Sequence, residues 1–267
     1  MDILIRWEGE LTNARIREVF GVQAVQSSRL LAAYIAERGR VLSRSTPRAA
    51  VKPTAMFDDE VPSTSADDYL SLLSTASVNL PGSDLVTEVR PLLLNENSEL
   101  FADVLNASRN GTGLRITYGS LNNPRGTERL IFPHSLVRAP RRWHVRAWCD
   151  LRNEFRDFAL GRVHSYVTLD QPAPKTRSDD SDWNKFIDLK IVVHPEFSED
   201  HQRLLRWENF AGNNSMVLNV RKALASYVIQ DLRLATDLKR DRPPQFQLYL
   251  ENAKSLGDLF SVGVIPS

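Results

Sequence analysis

Phe20-Gly-Val-Gln-Ala-Val-Gln-Ser-Ser-Arg-Leu-Leu31 decides how the first module reads. Just upstream, Thr12-Asn13 supplies an N-cap, and Ile16, Val19 and Phe20 follow at the i, i+3, i+4 spacing of a buried helical face. Gly21 ends that helix as a residue in the left-handed region, which glycine enters without a Cβ clash. Val22 turns back toward the core. A second helix is expected from Gln23 through Ala36, with Leu31, Tyr34 and Ile35 on its apolar side and Gln23, Gln26 and Arg29 pointing elsewhere. Two short helices about a tight glycine turn make a helix-turn-helix.

The same run resembles the turn and recognition helix of many bacterial regulators. The resemblance places Ser27 where a small residue must meet the neighbouring helix, and Ser28 and Arg29 at the pair that touches phosphate and groove. Gln26 is placed to reach base edges, where an amide can bond adenine at two points. Gln23 stands where serine is common. Downstream, residues 39–53 read as two short strands around a polar turn, a wing whose Arg44, Arg48 and Lys52 can neutralise phosphates. Between residues 11 and 52 stand Arg15, Arg17, Arg29, Arg38, Arg40, Arg44, Arg48 and Lys52 against only Glu18 and Glu37, a local balance of +6 in a chain whose net charge is +1. A basic module in a near-neutral chain reads as a polyanion binder. The alternatives are a solvated positive face and a helical domain that docks protein.

The rest of the composition sets limits. With 267 residues, 42% hydrophobic and 25% charged, the chain is an ordinary globular protein of two or three domains. No apolar run approaches the roughly 20 residues of a membrane span, and residues 1–8 lack the features of a signal peptide. Cys149 is the only cysteine, which excludes an internal disulfide and a Cys-rich zinc site and fits a reducing cytoplasm. Residues 58–68 are acidic and read as a joint; helices are expected from residue 65 and over residues 99–108, with a turn at Asn79-Leu-Pro-Gly.

From residue 113 to 169 the pattern changes to closely spaced short strands, which favour a small barrel. Ile116-Thr-Tyr-Gly-Ser120, Ile131-Phe-Pro-His-Ser-Leu136, Arg142-Trp-His-Val-Arg-Ala147 and Phe155-Arg-Asp-Phe-Ala-Leu-Gly-Arg-Val163 together resemble a WYL domain, an SH3-like β-barrel named for a Trp-Tyr-Leu tripeptide. Trp143-His144-Val145 stands at that place. With the N-terminal module and the chain length, these motifs are similar to one subgroup, the WYL-domain transcriptional repressors that control phage-defence operons such as those of BREX and CBASS systems. Strand periodicity puts Trp143, Val145 and Ala147 on one face, read as core, and Arg142, His144, Arg146 and Trp148 on the other. With Tyr118, Ser120, His134 and Arg156, the second face is read as a pocket for a phosphate-bearing ligand, because arginine clamps phosphate through two parallel hydrogen bonds. The resemblance implies a nucleotide-like or nucleic-acid effector there. The plainer reading makes His134 and His144 structural and the arginines solvated surface.

After a linker-like stretch at residues 172–177, strands are expected at residues 186–193, 215–221 and 245–250, with helices over 199–207 and 224–234, a small α/β sandwich. The resemblance makes it a homodimerisation domain. The domains expected are therefore 1–57, winged helix-turn-helix; 58–110, linker and connecting helices; 111–171, sensory barrel; and 180–267, dimerisation. No catalytic triad, phosphate loop or metal-ligand spacing is present, so neither an enzyme nor a cofactor is expected. The reading is α+β: a cytoplasmic, nucleoid-associated repressor that binds double-stranded operator DNA at an inverted repeat as a homodimer. An activator and a protein-interaction module are the alternatives.

Overall fold

The computed structural model describes residues 1–75, 97–140 and 142–257; the turn expected at Asn79 lies outside them. The chain packs as two units, Met1–Arg90 and Pro91–Ser267.

The first unit opens on a helix that the sequence reading did not include, α1 (Asp2–Glu8), which buries Leu4 and Ile5 and ends at Gly9 in the left-handed region. Helix α2 (Asn13–Phe20) follows, capped by the Thr12 hydroxyl accepting from the Arg15 amide (3.1 Å) and closed by Gly21 at φ 62°. Its core contacts are Ile16 and Val19. Phe20, expected inside, stands 41% exposed, because a two-turn helix ending at this residue needs only Ile16 and Val19 to fill its inner side. Helix α3 (Ala24–Arg38) starts one residue after the expected position, with Gln23 as its N-cap, and buries Ser27, Leu31 and Tyr34. Strands β1 (Leu42–Ser43) and β2 (Lys52–Pro53) pair antiparallel, and Leu11 bridges Val51 to tie the hairpin to the helices. Beyond residue 57 the same core continues: α4 (Phe57–Glu60) buries Phe57, Val61 is buried, and Tyr69, Leu72 and Leu73 of α5 (Ala66–Thr75) pack on it.

The second unit begins with α6 (Ser98–Asn110), capped by Asn97 and ended by Gly111 at φ 65°. Strands β3 (Thr112–Tyr118), β4 (Thr127–Ala139), β5 (Arg142–Cys149), β6 (Glu154–Ala159) and β7 (Val163–Pro172) form one antiparallel sheet in the order β6-β5-β4-β3-β7. No ladder joins β6 to β7 among the described residues. Helix α6 lays Leu100, Val104 and Ala107 against Leu114, Ile116, Val145, Ala147 and Phe158 on one face of the sheet. Trp143 is only half-buried at the rim, edge-on to Phe101 at 5.1 Å.

The stretch read as a linker is irregular over residues 173–176, and it is followed by a 3-10 turn (Arg177–Asp179) and then α7 (Ser181–Asn184), capped by Asp180. Beyond it β8 (Phe186–Val193), α8 (Glu199–Phe210), β9 (Ser215–Arg221), α9 (Ala225–Asp231) and β10 (Leu248–Leu250) make a second antiparallel sheet, β10-β8-β9, backed by the two helices over Leu189, Ile191, Leu205, Phe210 and Ile229. The last strand and last helix are shorter than expected. No described helix is long and apolar enough to cross a membrane, and no group of three His, Cys, Asp or Glu side chains among the described residues is arranged for a metal.

Candidate nucleic-acid interface and effector face

Helix α3 is positioned from beneath by Ser27. It is fully buried, and its hydroxyl donates to the Ala24 carbonyl at 2.9 Å, so the small polar side chain is satisfied on the inner side of α3. Seating Ser27 inward turns Gln23, Gln26, Ser28 and Arg29 outward, and all four are exposed. Val25 joins them at 67% exposure, a β-branched apolar side chain on the first turn of the helix. It was not foreseen as a contact, although its place between Gln23 and Gln26 marks it as outward-facing.

The wing carries its cations in three different states. Arg48 is exposed. Lys52 is exposed too, 3.6 Å from Glu10. The Arg44 guanidinium donates to the Ala49 carbonyl at 2.8 Å, so it braces the loop from within. The local balance of +6 is thinned by acids outside the stretch. Glu8 takes Arg15 at 2.6 Å, Asp2 takes Arg38 at 3.4 Å and Glu60 takes Arg40 at 3.2 Å. The hydrogen bonds that Arg15 donates to Glu8, resisted by burial, push its guanidinium up from its ordinary value. Arg17, Arg29 and Arg48 remain exposed with no ion-pair partner among the described residues. Of these, Arg17 on α2 was counted for its charge but not expected at the site.

In the second unit the six expected effector residues do not surround one cavity. Tyr118 is buried in the core beneath α6, its hydroxyl accepting the Ala159 amide at 3.1 Å. Ser120 lies in the loop after β3, where its hydroxyl accepts from the Asn123 amide. The β5–β6 register pairs Arg146 with Asp157 and Ala147 with Arg156, so Arg156 belongs to the opposite face from Arg146 and meets Glu154 at 2.8 Å. These three places follow from the period-2 geometry of strands and from side-chain hydrogen bonds that proximity in sequence does not reveal.

The other three do share a face, and that face is covered. Asp180 reaches over from the cap of α7 to accept from Arg146 Nε at 2.7 Å and Nη2 at 3.1 Å, from the Trp183 amide at 3.1 Å, and to meet His134 Nε2 at 3.2 Å. His134 sits at a register shift in β4 between Pro133 and Ser135, which aims its ring at Asp180. On its other side Arg146 meets Asp157 at 3.4 Å, and Asp157 accepts the Tyr227 hydroxyl at 3.0 Å. The Tyr227 ring lies 4.9 Å from that of His144. A continuous chain of contacts thus runs His134, Asp180, Arg146, Asp157, Tyr227, His144 across the β5 face. Arg146 is 8% exposed.

The electrostatics follow from burial against pairing. Burial pushes Asp180 up, but the hydrogen bonds from His134 and Arg146 win and hold it well below the usual carboxylate range. For Asp157 burial wins over Arg146 and Tyr227, and its carboxyl is raised. His144 is pushed down to about 4 by burial and by the Arg142 and Arg162 charges. What the arrangement does chemically is bind an anion at Arg146 and His134, and Asp180 is the anion bound.

Comparison with known proteins gives three consecutive domain matches: the BrxR transcriptional regulator winged helix-turn-helix domain over residues 1–75, the WYL domain over residues 99–168, and the BrxR transcriptional regulator C-terminal dimerization domain over residues 186–256. The chain is similar over almost its full length to proteins described as DNA-binding transcriptional repressor CapW. The Pseudomonas aeruginosa protein is 29% identical, with 97% of this chain and 89% of that one covered. The relative from Escherichia coli strain KTE188 is 28% identical (94% and 87%), and that from Stenotrophomonas maltophilia 27% identical (96% and 88%). With helix-turn-helix, WYL sheet and C-terminal domain in this order, the chain belongs to the WYL-domain transcriptional regulators of the BrxR and CapW type.

Proposed function

We propose that this chain is a DNA-binding transcriptional repressor that works as a homodimer, in the cytoplasm at the nucleoid. In this reading α3 enters the major groove of double-stranded operator DNA, Gln26 and Gln23 bond base edges, Val25 meets a thymine methyl, and Ser28 and Arg29 grip the flanking phosphates. Arg48 and Lys52 of the wing, with Arg17 of α2, hold the backbone beside it, while Arg44 stiffens the wing. Two such modules presented by a two-fold read an inverted repeat. The observation that carries the reading is the outward set on α3 held up by buried Ser27, with exposed arginines in the helix before it and in the wing after it. The regulated genes are a phage-defence operon, a step that rests on the resemblance of the motifs between Ile116 and Val163 to repressors of such operons. The likeness to relatives described as the repressor CapW favours repression over activation.

Relief from repression follows from the covered face of β5. A nucleotide-like or nucleic-acid effector offers phosphates to Arg146 and His134, displaces the Asp180 carboxylate and frees the segment that leads into the C-terminal domain. The order of labour is that first expected, DNA binding, then sensing, then pairing, although the DNA-binding core runs past residue 57 into α5 and α6 belongs to the sensing sheet.

Binding to the DNA upstream of its own gene, measured by fluorescence anisotropy over a range of salt, tests the proposal. Each phosphate contact adds roughly 0.9 to the slope of log K against log salt. Arg29→Ala and Arg48→Ala should each weaken binding and flatten that slope, by about 1.8 per dimer for one contact in each protomer. Unchanged slopes in both variants would refute the assigned interface. A protein-interaction module would show no sequence-specific binding at all.

A further inference from the structure

The C-terminal domain carries apolar side chains that no described residue covers. On α8, Leu204 is 63% and Trp207 68% exposed, one helical turn apart, while Leu205 and Phe210 go into the core. The Trp207 indole lies over Gly212, where a Cβ would stand 3.8 Å from the ring. Gly212, at φ +87°, makes the turn that feeds β9 three residues later. Strand β9 is an edge: in the order β10-β8-β9 it pairs with β8 alone, and no described strand lies on its other side. Val217 is exposed, and Met216, Leu218 and Val220 are only partly covered although they pack toward the domain's own core. The strand contains no proline, no register shift is seen in its ladder with β8, and its single charge is Arg221 at the end, so it lacks the usual devices that keep an edge from pairing. Helix patch and open edge meet at the corner made by Trp207 and Gly212.

We propose that this corner is the docking surface for a second copy of this chain. Strand β9 of one protomer runs antiparallel beside β9 of its partner, joining two three-stranded sheets into one of six, with Leu204 and Trp207 packed over the seam. A like partner is favoured over any other for two reasons. Residues 186–256 match a domain described as a dimerization domain, and an antiparallel strand paired with itself is the isologous contact that a two-fold requires. The inference rests on the homodimer reading above and names the surface that reading leaves open.

The test is light scattering behind size exclusion on the full chain, across concentration. The wild type is expected to be a dimer. Leu204→Lys with Trp207→Lys is expected to raise the dimer dissociation constant at least about 30-fold, as loss of two central apolar side chains does, with circular dichroism unchanged because both sites are exposed in the protomer. Leu151→Lys with Val167→Lys, exposed apolar positions on the WYL sheet, is expected to stay dimeric. A double variant at 204 and 207 that dimerises like wild type overturns the surface assignment, whereas a monomeric wild type overturns the homodimer reading itself. Hydrogen exchange on the unmodified protein provides the second measurement. The β9 amides should lose protection on dilution, and protection independent of concentration overturns the strand pairing.

Discussion

Replacing Arg146 by alanine should be among the most damaging single changes in the second unit. The guanidinium donates twice to Asp180, at 2.7 and 3.1 Å, and lies 3.4 Å from Asp157, in a site where its own exposure is 8%. Among the described residues, truncation leaves Asp180 with only His134 and the Trp183 amide, and Asp157 with only the Tyr227 hydroxyl. Breaking a buried pair by removing one partner costs about 3–5 kcal/mol, because a charge is stranded in a poorly solvated site. For a unit of this size each kcal/mol lowers the melting temperature by about 2–4 °C, so a fall of roughly 6–20 °C is expected. Thermal melts of the wild type, Arg146→Ala, Asp180→Asn and the double variant form a cycle. The double variant should lose less than the sum of the singles, because an amide at 180 no longer needs a cation. An Arg146→Ala protein that melts within 2 °C of the wild type would refute the claim that these charges are mutually dependent.

Ser27→Leu should destabilise the first unit by about 1–3 kcal/mol by overfilling the core beneath α3, and should abolish operator binding; Ser27→Ala, measured by melting and anisotropy alongside it, should do neither. His144 gives a pH dependence. Its folded value of about 4 lies below the ordinary 6.5, so the unfolded chain binds the proton first as pH falls. The stability it provides is complete above pH 6.5 and is lost toward pH 4, at up to about 1.4 kcal/mol per pH unit. Asp180, also depressed, adds its loss only below its ordinary 3.8, whereas Asp157, raised, gains stability as pH falls toward 3.8 and so works against His144 above that value. Denaturant melts between pH 7 and 4.5 should show the slope in the wild type and a flatter one in His144→Phe; equal slopes would contradict a buried neutral imidazole.

The first module was legible because its signals are local. Thr12, Gly21 and Ser27 each act through a backbone or side-chain geometry set within a few residues, and the structure uses them as expected. Helix α1 was not legible, since seven residues hold too few turns for a periodic pattern, and its Asp2 and Glu8 silently take up Arg38 and Arg15. The β5 face shows the same limit at longer range. Alternation correctly sorted His144 and Arg146 from Val145 and Ala147, but it carries the assumption that one face is wet. Both faces are covered here, and the group that covers Arg146 lies 34 residues away, at the first residue of the domain expected to pair subunits and just past the stretch read as linker. Register likewise sends Arg156 to the other face, a consequence of pairing with Ala147 that the order of residues along β6 alone does not disclose.

Hydroxyl-radical footprinting of the purified full chain on the DNA upstream of its own gene is the most direct examination of the account. Two protected half-sites related by a dyad are expected, their centres roughly one helical turn or a multiple of about 34 Å apart, with protection lost in Gln26→Ala with Arg29→Ala. A single protected site without a dyad, or a footprint that the double substitution leaves intact, would contradict a paired molecule reading DNA through α3.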